Sequence, residues 1–141
     1  MPDKDVVLAK VATIQRCLTR IREVTLLDPA RLDDIDVQDI FILNLQRAIQ
    51  AALDLAAHVV ASEGLGLPER ARESFMLLKN AEVIDAETAT KMEKMTGFRN
   101  IAVHDYQALA PEILKSILVH HLKDLEDFYA DVLRFFGSTD R

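Results

Sequence analysis

A single cysteine, Cys17, is all the thiol chemistry this chain has, which excludes an internal disulfide and suits a reducing cytoplasm. Tryptophan is absent, aromatic residues make up 6% of the chain, and glycine and proline number four each. That scarcity points to helices rather than strands. The opening Met1-Pro2-Asp3-Lys4-Asp5 lacks the basic start and apolar core of a secretory leader. Long apolar runs are missing as well: Leu43 to Ala61 is interrupted by Gln46, Arg47, Gln50, Asp54 and His58, short of the ~18 consecutive apolar residues a membrane span requires. A soluble, cytoplasmic protein is expected. Positive charge is also in short supply, since 17 Lys and Arg face 23 Asp and Glu for a net charge of −6. Coating of nucleic acid by counterion release over a broad basic face is therefore excluded, and any RNA or DNA contact is expected in one small cationic cleft.

What remains is a 50% hydrophobic, 28% charged chain of 141 residues, the size of one domain spanning 1–141. Val7, Val11, Ile14, Leu18 and Ile21 alternate at spacings of four and three, predicting an amphipathic helix over 4–26. Pro29 marks a break, and Asp33, Asp34 and Asp36 offer caps and favourable charge for a second helix from Val37 to Ser62, which Gly64 stops. A third helix is predicted from Pro68 to Asn80, and a fourth is capped by Asp85. A fifth opens at Pro111 and carries Leu114, Leu118, His121, Leu125, Phe128, Val132 and Phe135. The predicted fold is all-α, an antiparallel up-and-down bundle of about five helices joined by short links. The Gly64-Leu65-Gly66-Leu67-Pro68 stretch has neither the spacing nor the preceding strand of a phosphate-binding loop, and reads as a turn.

Chemistry concentrates in Gly97-Phe98-Arg99-Asn100-Ile101-Ala102-Val103-His104-Asp105-Tyr106. On a helix, Asn100 and His104 share a face. Arg99 and Tyr106 nearly coincide on the wheel, provided the helix extends that far. Arg99 and His104 diverge by ~140° with ~7.5 Å of rise between them, so one helix aims both at one phosphate only awkwardly. Two copies related by a two-fold axis would share a cleft, which predicts a homodimer. Gly97, costing ~1 kcal/mol relative to Ala within a helix, fits close approach of a partner backbone or a nucleotide. Such a cleft suits attack of a ribose 2′-hydroxyl on the neighbouring phosphorus. The His104 imidazole can serve as general base and acid. Arg99 can grip phosphate bidentately, Asn100 can fix the imidazole or substrate, and Tyr106 can donate to phosphate.

The run Phe98-Arg99-Asn100-x-x-Val103-His104-x-Tyr106 resembles the Arg-x4-His-x-Tyr signature of the HEPN superfamily, specifically of the HepT-like ribonuclease toxins. Leu43 to Gln50 is similar to the Asn-Leu-Gln segment of that family's second helix, and Phe75–Leu78 through Met95–Phe98 follows its approach to the signature. The resemblance implies a dimerising helical bundle acting as a metal-independent endoribonuclease without a cofactor, in a type VII-like toxin–antitoxin module. Arg99 and His104 then match the catalytic pair, and Asn100 and Tyr106 the substrate-positioning residues. It also implies a partner, a minimal nucleotidyltransferase (MNT) antitoxin that transfers AMP from ATP onto Tyr106. The added phosphate would then neutralise the charge RNA must find. The alternatives are a noncatalytic nucleotide-binding or regulatory subunit of such a transferase, and a helical interaction protein whose motif packs a dimer.

Other polar residues are less suggestive. His120 lies four before Asp124, but adjacent histidines point to different faces and no third ligand is suitably spaced for a metal. His121 falls on the apolar stripe, at a packed or dimer surface, and His58 reads as a helix-surface or bundle residue. Asn44 sits within an apolar face, where it either fixes helix register or lines the cleft. Cys17 reads as core.

Overall fold

The computed structural model describes residues 2–106 and 109–139; Met1, Gln107, Ala108, Asp140 and Arg141 of the expected 1–141 domain lie outside the described residues. Among the described residues the helices run in the order α1 (Lys4–Thr25), the 3-10 helix Pro29–Asp33, α2 (Ile35–Ser62), α3 (Glu73–Asn80), α4 (Ala86–His104), α5 (Pro111–His120) and α6 (Leu122–Thr139). Among the described residues there is no strand.

Helix boundaries follow the capping chemistry. Asp3 accepts the Asp5 and Val6 N–H groups, Asp34 those of Asp36 and Val37, and Asp85 that of Thr88 at 2.7 Å. The hydrogen bonds from Thr88, backbone N–H foremost, hold the Asp85 carboxyl below its usual range. Of the three aspartates expected to start α2, Asp34 is the cap, while Asp33 pairs with Lys115 of α5 at 2.9 Å.

Two boundaries depart from expectation. The helix predicted from Pro68 begins at Glu73; residues 65–72 are a loop, in which the Glu73 carboxylate accepts the Glu69 N–H at 3.0 Å. The single helix predicted from Pro111 is two, because the backbone turns at His121 (φ −122°, ψ −4°). The turn lets α5 lie on the 3-10 helix and α6 while α6 packs on α1, α2 and α4, so both halves of the apolar stripe reach a core. Leu114, Leu118, Leu125, Phe128 and Val132 are all buried.

α2 is the axis of the bundle, touching α1, α3, α4, α6 and the 3-10 helix. By length and composition it could cross a membrane, yet most of that stretch is covered by its neighbours. Pairings fix the directions: Lys10 to Asp54 and Asp3 to His58 make α1 antiparallel to α2, and Gln50 to Arg99 and Asp39 to Tyr106 run α4 back along it. The predicted α1 stripe is buried throughout, and Phe75 meets Phe128 edge to face with ring centroids 5.4 Å apart. Cys17 is core, its thiol pushed up by burial and pulled partly back by Arg47 and Arg16.

Candidate active site

The last two turns of α4 present the motif. Phe98 and Ala102 are buried and seat the helix, leaving Asn100, Ile101, Val103 and His104 exposed, with Arg99 half-buried at the edge of that arc. Because α4 is continuous to His104, the expected wheel positions hold: Asn100 and His104 lie one turn apart on one face, and Arg99 diverges from His104 by about 140°. Among the described residues no hydrogen bond or ion pair engages the His104 imidazole, which is open to an incoming group.

Arg99 is the anchored member. Its Nη1 donates to Asn100 Oδ1 at 3.1 Å and its Nη2 to Gln50 Oε1 on α2. The other end of the Gln50 amide donates to Asp54 Oδ1 at 2.8 Å, and Asp54 Oδ2 sits 3.2 Å from Lys10 Nζ on α1. A relay of polar groups thus runs from α1 through α2 to the guanidinium. An amide suits the middle position because its carbonyl faces a cation and its NH2 an anion; either charge there would oppose one neighbour. Spare guanidinium N–H groups remain for an anion.

Tyr106 lies beyond the helix. α4 ends at His104, where Asp105 leaves helical geometry (φ −150°, ψ 72°), so the expected alignment of Tyr106 with Arg99 on one wheel does not arise. The phenol instead donates to Asp39 Oδ1 near the start of α2. Burial, then the Asp39 hydrogen bond and charge, push its pKa from 10.0 up to about 12. Asp39 and Gln50 are eleven residues apart, about 16 Å along the α2 axis. The protomer therefore brings Arg99 and Asn100 together and holds Tyr106 at a separate point of α2.

The other polar candidates are structural. Asn44 Nδ2 donates to its own helix at Ile40 O, 2.9 Å away. His58 Nε2 accepts the Asp3 N–H at 3.0 Å and tethers the start of α1. Asp124, 2% exposed, pairs with His121 Nδ1 at 2.9 Å rather than with His120. Lys91 Nζ approaches its other oxygen at 3.7 Å.

Sequence reasoning missed Gln50 and Asp39, the α2 groups that hold Arg99 and Tyr106. Gln50 had a visible signal, an uncharged polar residue four before Asp54 in an apolar helix, but its partner was 49 residues away.

Known proteins are similar to this chain over nearly its whole length. The chain is 42% identical over 130 residues to the mRNA nuclease HepT of Shewanella oneidensis, covering 92% of this chain and 97% of that protein. A solved structure of the tri-AMPylated Shewanella oneidensis HEPN toxin in complex with MNT antitoxin superposes with a TM-score of 0.88 at 40% identity, covering 94% of this chain and 99% of that one. A toxin–antitoxin crystal structure with AMP-PNP matches with the same TM-score, 39% identity and coverage of 93% and 99%. The sequence model of the family described as Ribonuclease HepT-like matches residues 14–132, a span that holds all four motif residues and the α2 groups that anchor them. By sequence, fold and the extent of both matches, this chain belongs to the Ribonuclease HepT-like family.

Proposed function

We propose that this chain is a ribonuclease toxin of a toxin–antitoxin module, an endoribonuclease of the cytoplasm held in check by an MNT-type nucleotidyltransferase. The observation that carries the reading is an accessible Arg99, Asn100 and His104 on one unbroken helix, with the guanidinium fixed by Gln50, in a chain similar over its length to an mRNA nuclease.

In this reading the ribose 2′-hydroxyl attacks the adjacent phosphorus. The His104 imidazole takes its proton, and an imidazolium returns one to the leaving 5′-oxygen. Each transfer is worth roughly 10²- to 10⁴-fold. Arg99 faces the negative charge that builds on the phosphoryl oxygens, with the benefit of being placed before the reaction begins. Asn100, already bonded to Arg99, positions the guanidinium and the sugar-phosphate. No step calls for a metal ion or a cofactor.

The ~140° between Arg99 and His104 is bridged by a homodimer in which each α4 contributes to a shared cleft. Supporting it, the exposed face of α4 carries Ile101 at 47% and Val103 at 51% exposure beside the polar pair, apolar surface that a second copy would cover. Tyr106, 43% exposed, is the residue that accepts AMP.

The test is expression in growing cells, paired with purified protein and RNA. Wild type is expected to arrest growth and cut RNA in excess chelator, while His104→Ala and Arg99→Ala do neither. Coexpression with a cognate MNT-type transferase is expected to restore growth and add AMP to wild type but not to Tyr106→Phe. A harmless wild type that leaves RNA intact would end the enzyme reading.

A further inference from the structure

Beside Arg99 lies a recess of about 170 Å³ lined by Leu53, Arg70, Ala71, Arg72, Thr96, Arg99 and Asn100. Leu53 and Thr96 are buried, and Thr96 spends its hydroxyl on Met92 O. The remaining polar residues of the lining are three arginines and Asn100, of which Arg99 and Asn100 are already bonded to each other. No carboxylate lines the recess, although acidic residues outnumber basic ones in the chain as a whole.

Arg70 and Arg72 belong to the loop between α2 and α3. Both are exposed, and among the described residues neither guanidinium has a hydrogen bond or an ion pair. Backbone hydrogen bonds tie both ends of the loop that carries them. Leu65 N–H returns to Val60 O at 3.0 Å, and Gly66, at φ +133°, lies close against Leu77. Successive turns from Arg70 O, Ala71 O and Arg72 O run into α3. Arg70 and Arg72, unpaired among the described residues, thus line one recess with Arg99, which is already oriented by Gln50. Like charges so arranged repel one another in the empty protein, and an anion relieves that repulsion.

We infer that Arg70, Arg72 and Arg99 form a phosphate subsite that grips the RNA backbone next to the bond being cut. The inference rests on the ribonuclease reading above and adds two residues from outside the motif. Arg99 would then face the reacting phosphate and the edge of this recess together, and the loop arginines would set the path of the strand across α4. A guanidinium suits this duty better than an ammonium because its planar fork matches two phosphate oxygens at once.

The probe is a labelled single-stranded RNA with 2′-O-methyl riboses, which lacks the attacking hydroxyl and lets binding to the native protein be read by fluorescence anisotropy. Arg70→Gln/Arg72→Gln is expected to bind about tenfold more weakly at low salt. Its plot of log K against log salt should flatten by about 0.7 for each phosphate that is no longer neutralised. Arg70→Lys/Arg72→Lys should recover part of the affinity, and Arg20→Gln, on the exposed surface of α1, should leave both quantities unchanged. Wild-type affinity and slope in the double Gln variant, with its thermal unfolding unaltered, would overturn the subsite. If unmodified RNA is still cut by wild type and spared by His104→Ala, only the subsite has failed. If wild type neither binds nor cuts RNA, the ribonuclease reading falls with it.

Discussion

Gln50→Leu is the sharpest probe of how the site is assembled, because it removes the bond between α2 and Arg99 without touching the motif. In the native protein Arg99 Nη2 donates to Gln50 Oε1, and Gln50 Nε2 donates to Asp54 Oδ1 at 2.8 Å. A hydrogen bond to a charged group is worth about 1.5–3 kcal/mol. Water replaces part of it here, since Arg99 is half-buried and the Lys10 and Asp54 side chains are 37% and 42% exposed, so the lower end applies. About 1.4 kcal/mol of lost placement in the transition state corresponds to a tenfold fall in rate. The loss should appear in kcat more than in KM, because a loosened guanidinium still attracts RNA but no longer waits in position. Gln50→Glu should behave differently. Its carboxylate would pair with Arg99 and compete with phosphate, raising KM, while standing one turn from Asp54 at a cost of about 0.2–0.5 kcal/mol. Single-turnover and steady-state cleavage of a fluorogenic RNA measure both. A Gln50→Leu enzyme with native kcat, alongside an inactive Arg99→Ala, would refute the claim that α2 positions the guanidinium.

Three further predictions concern Tyr106, Gly97 and Asp85. In Tyr129→Phe protein, Tyr106 is the remaining tyrosine, and its ultraviolet titration should centre near pH 12, moving down in Asp39→Asn but staying above 10.0 because burial persists. Since the folded chain keeps a proton that the unfolded chain releases, this group's contribution to stability should decline from pH 10.0 to about 12; a midpoint at 10.0 in Tyr129→Phe protein would contradict both statements. At Gly97 an added Cβ meets nothing within 4 Å in the protomer. Gly97→Ala should therefore raise the urea stability of the isolated protomer by about 0.5–1 kcal/mol while weakening dimers in sedimentation; dimers as tight as wild type would remove Gly97 from the interface. Asp85→Ala removes the α4 cap and should cost about 1 kcal/mol in unfolding stability, with that cost shrinking as acid protonates Asp85, whose pKa is lowered in the fold. An equal cost at all pH values would show that the cap acts without its charge.

What could be read from the sequence was local. The α1 stripe, the Asp85 cap and the Asn100–His104 face each depend on residues within a few turns of one another, and each stands as expected. The break at His121 was hidden because the apolar spacing continues unchanged across it; what bends the chain there is the need to cover two different surfaces. The late start of α3 was hidden because Pro68 is compatible with both a helix opening and a loop. The partners of Arg99 and Tyr106, 49 and 67 residues away, depend on how α4 docks along α2, which periodicity alone cannot give. Arg70 and Arg72 carry no local pattern that sets them apart, and only the fold brings them beside Arg99.

The spacing of Asp39 and Gln50 along α2 turns that helix into a ruler. If Tyr106 accepts AMP, as proposed above, the first nucleotide would begin about 16 Å, measured along the axis, from the level at which Arg99 is held. Within one protomer, silencing should deepen as the tether lengthens: a short attachment leaves the cleft reachable by substrate, and a longer one doubles back to occlude it. Residual cleavage sorted by the number of AMP units carried would expose this dependence, and inactivation already complete at the first unit would mean that the tether acts across the dimer instead.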